Sequence, residues 1–343
     1  MKDPIRILSI DGGGIRGIIP AMILAELEQR AARPICELFD LIAGTSTGGI
    51  LALALNKPDA AGKPAYSAAR LIELYEREGD TIFSPAWHRW PIIGFLFDVF
   101  FVRYSARHIQ RILLQYFGET RLRDVITPVL LTAYELHKRD PWLFKSRRAK
   151  TEADHDFPMH VAAYATAAAP TYFPPLKLPA PEPWKYYALV DGGVYAQNPA
   201  MAVYVEAHTM YPDARDFIIV SVGTGSTSKP IPYNKAKRWG LAGWARPILD
   251  VVFDGVSDTV DYELDQLLPP AGGSKRHYRF QVDLAEGEDA MDDPSPANIE
   301  RLKARAQQLI AASAADLAAL ADALKLPLPP LPKGEGVGGK DLQ

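Results

Sequence analysis

Three short stretches of this chain set glycine beside residues that can do chemistry. Gly44-Thr45-Ser46-Thr47-Gly48 places a serine between two glycines in the pattern G-x-S-x-G. Asp11-Gly12-Gly13-Gly14-Ile15-Arg16-Gly17 offers a bank of amides with no side chains in the way. Leu189-Val190-Asp191-Gly192-Gly193 delivers an aspartate to a glycine turn. Glycines around a serine keep its hydroxyl clear of the preceding strand and the following helix, which suits a nucleophile. A glycine run lets a carbonyl-derived oxygen approach the main chain, as an oxyanion hole requires. An aspartate within reach of the serine can act as its base. An aspartate at a strand end is also an ordinary turn former, so its type alone leaves both roles open.

The same residues admit other chemistries. Gly12-x-Gly14-x-x-Gly17 satisfies the dinucleotide fingerprint, but the run Leu41-Ile42-Ala43-Gly44 ends without the acidic residue a ribose would need. No G-x-x-x-x-G-K-[ST] occurs. A nucleotide- or phosphate-binding protein with an inert Ser46 is therefore the weaker, non-enzyme alternative. Of the seven histidines, His208 and His277 follow Asp191 and allow the order Ser, Asp, His. His208 falls in a helical run, Met201 to Met210, and His277 begins a strand among basic residues, so neither sits in a loop that follows a strand. The acidic cluster Glu286, Glu288, Asp289, Asp292 and Asp293 lacks the alternating ligands and central glycine of a calcium loop. No metal and no cofactor is expected.

Elements that position these residues follow from the apolar pattern. Ile5 to Ile10 and Leu38 to Ala43 read as buried strands. Ile18 to Ala31 and Thr47 to Leu55 read as the helices after them, with Pro20 tolerated in a first turn. Strand, helix, strand, helix argues a parallel sheet covered by helices, with each glycine turn at a strand-to-helix corner. Further strands are expected at Val129 to Tyr134, Tyr187 to Val190, Phe217 to Val222 and Arg276 to Val282. Further helices are expected at Ala69 to Glu78, Ala106 to Tyr116 and Ile248 to Leu268. A last helix is expected from Pro296, capped by Ser295, to Leu324, interrupted by Ser313. Pro170 to Pro183 reads as a loop leading into a strand. The whole is an α/β three-layer sandwich with a central, mostly parallel sheet, forming one domain over residues 1–325. Residues 326–343, rich in proline, glycine and lysine, are expected to be a disordered tail.

Bulk properties exclude little beyond this. A net charge of −3 gives no push toward nucleic acid. The single Cys36 rules out an internal disulfide and fits a reducing compartment. Met1-Lys2-Asp3-Pro4 runs into a strand pattern without a signal region, and the apolar stretch Pro91 to Val102 is too short to span a bilayer. A cytoplasmic protein, at most peripheral at the inner membrane surface, is expected. Two aromatic segments suit a lipid partner: Trp87 to Phe101, and Lys235 to Arg246, which mixes lysine and arginine with Trp239 and Trp244. Core packing and an ordinary solvated helix start are their plain alternatives.

Together the three glycine stretches resemble the patatin-like phospholipase family. Supporting similarity lies at Ala167-Ala168-Ala169-Pro170-Thr171-Tyr172-Phe173, at Gly223-Thr224-Gly225 and at Met291-Asp292-Asp293. The resemblance implies a lipid acyl hydrolase working through a Ser-Asp dyad, with no metal. Ser46 would be the nucleophile in the elbow flanked by Gly44 and Gly48, and Asp191, followed by Gly192 and Gly193, the base. Gly13 and Gly14 N–H groups would form the oxyanion hole, supported by Gly12 and Arg16. It implies a phospholipid or lysophospholipid substrate, transient membrane contact and no nucleic acid. An acyltransferase, or an antiphage effector phospholipase switched on by an unidentified small molecule, would use the same dyad. Desolvation should raise the Asp191 pKa, leaving a single ionisation in the acidic range rather than near the histidine value of about 6.5.

Overall fold

The computed structural model describes residues 4–84, 102–180, 183, 185–227, 230–244 and 247–325. The expected aromatic segment Trp87 to Phe101 and the expected tail 326–343 lie outside the described residues. Eight strands build the central sheet: β1 (Ile5–Ile10), β2 (Leu41–Gly44), β3 (Val129–Glu135), β4 (Asp140–Lys145), β5 (Leu176–Pro179), β6 (Tyr186–Asp191), β7 (Phe217–Val222) and β8 (His277–Phe280). Their order is β5-β6-β3-β2-β1-β7-β8, with β4 along the other edge of β3. Strands β3, β2, β1, β7 and β8 run parallel, whereas β4 and β6 are antiparallel to β3 and β5 to β6.

Helices cover both faces, which is why the central strands are apolar on both sides. They are α1 (Ile18–Ala31), α2 (Thr47–Asn56), α3 (Ala68–Ile82), α4 (Ala106–Phe117), α5 (Met159–Ala167), α6 (Ala200–Met210), α7 (Pro247–Leu267), α8 (Pro296–Ala312) and α9 (Ala314–Leu324), besides one-turn helices. Along β1 the residues alternate between two cores. Ile5 and Ile7 pack with Val203, Ala207 and Leu264 of α6 and α7. Leu8 and Ile10 pack on the opposite face with α1 to α5, α8 and α9. Serine caps start α3, α4 and α8: Ser67, Ser105 and Ser295 each accept a backbone N–H of the first turn.

Several expected boundaries move, each for a local reason. β2 begins at Leu41 because Leu38 and Phe39 lie buried in a turn, where the Asp40 carboxylate accepts the Arg6 N–H at 2.8 Å. The proline-rich stretch from Pro170 is not loop throughout. Leu176–Pro179 pairs as an edge strand, the one place in a sheet where proline is readily accommodated. Ser313 ends one helix and starts the next, so the final helix is two. β4 and α5 have no counterpart in the apolar pattern. β4 opens on Asp140-Pro141, and α5 is buried nearly all round, which erases amphipathic contrast.

One register decides what the sheet brings together. β4 occupies one edge of β3 along its length, so β2 and β6 share the other edge. They approach from opposite directions and stop tip to tip: Gly44 pairs with Leu131, and Asp191 pairs with Ala133.

Candidate active site

Ser46 stands just past the tip of β2, in a backbone conformation of φ 55° and ψ −124° that a side chain rarely adopts. The elbow is closed by backbone packed on backbone. A Cβ on Gly44 would lie 2.2 Å from the Gly48 carbonyl oxygen, and one on Gly48 would lie 2.2 Å from that of Ile10. Thr45 donates its hydroxyl to the Ala196 carbonyl at 2.6 Å and so accepts from Thr132 at 2.7 Å. The Ser46 N–H donates to Thr166 Oγ1 at 3.0 Å. Thr132, between Leu131 and Ala133, thus occupies the gap where the two strand tips meet. It also explains Gly192, whose Cβ would fall 2.1 Å from Thr132 Oγ1.

Asp191 enters from β6 and is buried. Its Oδ1 accepts the Gly193 N–H at 2.7 Å, and Asp191 lines a cavity together with Ser46. Burial pushes its pKa up to about 7, against the smaller pull of the neighbouring Ser46 side chain and the Gly193 N–H. That lies beyond the acidic range expected from sequence, because the strand end is fully enclosed rather than partly wetted.

The glycine loop lies beside the elbow. The Gly12 N–H is already used, donating to the Gln197 carbonyl at 3.1 Å. The Gly12 carbonyl accepts from Gln197 Nε2 at 2.7 Å and from Thr224 Oγ1 at 2.5 Å. Gly14 has φ +59°, and a Cβ there would lie 2.0 Å from the Met291 carbonyl oxygen, to which the Ile15 N–H donates at 2.9 Å. Among the described residues, the Gly13 and Gly14 N–H groups have no partner. Both glycines line one cavity with Ser46 and Asp191. Arg16 does not line it. Its side chain is buried, which lowers its pKa, and its opposing charges are Asp254, Asp250 and Asp289.

Hydrocarbon makes up most of the remaining wall, including Ile50, Leu74, Ile82, Phe83 and Ile109, with Phe253 reaching in from α7. No histidine among the described residues lines it. His208 packs on the Phe217 ring with centroids 4.5 Å apart, and His277 Nδ1 lies 2.9 Å from Asp265. The acidic cluster is used structurally. Glu288 pairs with Arg305, Asp292 with Arg103 and Tyr104, and Asp293 accepts the Ser295 N–H.

Sequence reasoning placed Ser46, Asp191 and the glycines, but not the groups that hold them: Thr132, Thr166, Gln197 and Arg279. Thr224 stands in the sequence only as part of the supporting motif Gly223-Thr224-Gly225. Arg279 Nη2 donates to the buried Asp11 carboxylate at 2.6 Å, with no local sequence signal to announce it.

Fold and site together define a three-layer α/β protein with a glycine-flanked serine turn beside an apolar cavity. A family model for patatin-like phospholipase matches residues 8–204, and the chain belongs to that family of lipid hydrolases. Patatin-like protein 4 of Arabidopsis thaliana is 31% identical over 335 residues, covering 89% of this chain and 83% of that one. Patatin-17 of Solanum cardiophyllum is 29% identical, covering 88% of this chain and 82% of that one. Human GIVD cytosolic phospholipase A2 superposes with a TM-score of 0.46 at 10% identity, over 94% of this chain and 60% of that one. No helix among the described residues is long and apolar enough to cross a membrane.

Proposed function

We propose that this chain hydrolyses carboxylic esters of membrane glycerolipids, phospholipids or lysophospholipids, through a Ser46–Asp191 dyad and an acyl-enzyme. Asp191 takes the proton as Ser46 Oγ attacks the ester carbonyl. The Gly13 and Gly14 N–H groups, unpaired in the resting enzyme, receive the oxyanion. Asp191 returns the proton to the leaving alcohol, then activates the water that releases the fatty acid. The observation that carries this reading is the buried Asp191 carboxylate facing one apolar cavity with Ser46, beside two amides that have no partner among the described residues. The cavity wall suits an acyl chain.

A fluorophosphonate probe should label Ser46, and Ser46→Ala should lose both labelling and turnover while keeping its melting temperature within a few degrees. Labelling elsewhere, or substantial residual turnover, would remove the dyad.

Exposed Ile231 and Tyr233 lie beside Lys235, Lys237 and Arg238 in the chain, with Lys237 Nζ 5.4 Å from the Tyr233 ring, which supports peripheral contact with an anionic bilayer. Trp239 and Trp244 instead stack edge-on against each other at 5.3 Å. Reversing the charge of Lys235, Lys237 and Arg238 should weaken binding to anionic vesicles at low salt while sparing hydrolysis of a soluble ester. Equal losses on both would argue against a membrane role.

A further inference from the structure

The glycine loop has charge at both ends, and both charges face one helix. Asp11 precedes Gly12, and Arg16 follows Gly14. The Arg279 guanidinium reaches from β8 across β7 to Asp11. Nη1 donates to Ser221 Oγ of β7 at 2.8 Å, while Nη2 donates to Asp11 Oδ2 at 2.6 Å and Ser257 Oγ of α7 at 3.0 Å. The Ser257 hydroxyl in turn lies 3.4 Å from Asp11 Oδ2. Asp250, Asp254, Asp258, Asp261 and Asp265 recur at helical spacing along α7. Asp250 and Asp254 face Arg16, and Asp258 and Asp261 face Arg279.

This arrangement is more than a loop of three successive glycines needs merely to pack, and it acts where that loop is least able to hold itself. Glycine carries the largest conformational freedom of any residue, yet oxyanion donors help only when fixed before the reaction. Arg279 does not line the cavity and touches neither Ser46 nor Asp191. We propose that Arg279 is a positioning residue for the oxyanion hole: through Asp11, it fixes the direction of the Gly13 and Gly14 N–H groups. The inference rests on the hydrolase reading above. It predicts a loss of transition-state stabilisation with substrate binding left intact.

The experiment compares wild type with Arg279→Gln, Arg279→Lys and Ser257→Ala on a soluble ester. Each is also tested with a trifluoromethyl ketone, which forms a tetrahedral adduct, and with a non-hydrolysable ether analogue, which does not. Arg279→Gln should lower kcat about a hundredfold and weaken ketone inhibition in parallel, with KM and ether binding within about twofold of wild type. Arg279→Lys, which keeps the charge but loses the fork, should fall about tenfold on the same two readouts. Ser257→Ala should fall a few-fold. Ketone and ether affinities falling equally would overturn the proposal, as would unchanged ketone inhibition in a folded Arg279→Gln. Should Arg279→Gln not fold, unchanged ketone inhibition in both other variants overturns it instead. Failure of wild-type Ser46 to label with fluorophosphonate is a different result, seen before any variant is compared, and it removes the hydrolase reading itself.

Discussion

The two glycine turns look alike in sequence but are held by different means. At the elbow, Gly44 and Gly48 are pressed by main chain, that of Gly48 and that of Ile10 in β1, while Thr45 and Ser46 are tied to Ala196, Thr132 and Thr166 and the serine sits in a strained conformation. The loop at Gly12 to Gly14 is held by partners from far along the chain: Gln197, Thr224, Arg279 and Met291. Both turns are thus restrained from across the fold; in the elbow the flanking glycines are forced by backbone alone, whereas the loop also depends on side chains that reach it from several directions. Strain at Ser46 persists because the surrounding sheet fixes it.

The largest effect should come from Asp191, which lines one cavity with residues of both turns. Asp191→Asn should reduce turnover by a thousandfold or more, since an amide cannot take the serine proton. The same change should stabilise the fold. A carboxyl raised from 3.8 to about 7 is held neutral by the folded state while the unfolded chain ionises, so stability falls as pH rises between those values. Removing the charge should therefore gain on the order of 2–4 kcal/mol above pH ~7, with the gain fading as pH falls and vanishing below about 4. Melting curves across pH, run beside turnover, check both. An Asp191→Asn protein that is active, or no more stable at pH 8, would break the assignment. Wild-type turnover should itself fall as pH drops through about 7.

Two glycine substitutions sharpen the contrast between the turns. A methyl at Gly48 meets a carbonyl of the central strand β1, which cannot yield without disturbing the sheet. Gly48→Ala should lower stability by several kcal/mol, on the scale of severe backbone strain. A methyl at Gly14 also meets backbone, the Met291 carbonyl, but in a connecting segment outside the central sheet. Gly14→Ala should thus fold with a smaller loss and instead lower kcat by about 10²–10³, the scale of one oxyanion donor. The reverse ranking in denaturant titration would show that the loop, not the elbow, is the structural turn.

The smallest effects are expected from histidine. His208→Ala and His277→Ala should each keep turnover within several-fold of wild type, because the exposed His208 stacks on Phe217 and His277 pairs with Asp265, both away from the cavity. A thousandfold loss in either, with the fold preserved, would restore a Ser-His-Asp triad. The pH profile does not separate the two mechanisms, since burial brings Asp191 into the histidine range.

How much of this was legible depended on how far each signal travels. A strand ended by glycine and followed by a helix is a local pattern, so Ser46 and the amide bank could be placed from a few residues each. β5 and β4 could not, because proline and a polar start read as loop until a neighbouring strand takes up the free edge. α5 could not either, since a helix buried nearly all round has no polar face to mark its period.

By itself, the sequence determined the parts: two strand-to-helix corners, a serine with its flanking glycines, a bank of amides and an aspartate ending an apolar run. Each is dictated by backbone sterics and apolar periodicity over a handful of neighbours. Only the tertiary structure decided that these parts meet. Gly44 and Asp191 converge because β2 and β6 divide one edge of β3 between them, with Thr132 filling the gap. Arg279 reaches Asp11 because β8 joins the sheet beside β7, a contact spanning 268 residues of chain. Strand order and register are set by the summed burial of both sheet faces, and no short stretch of sequence carries that sum.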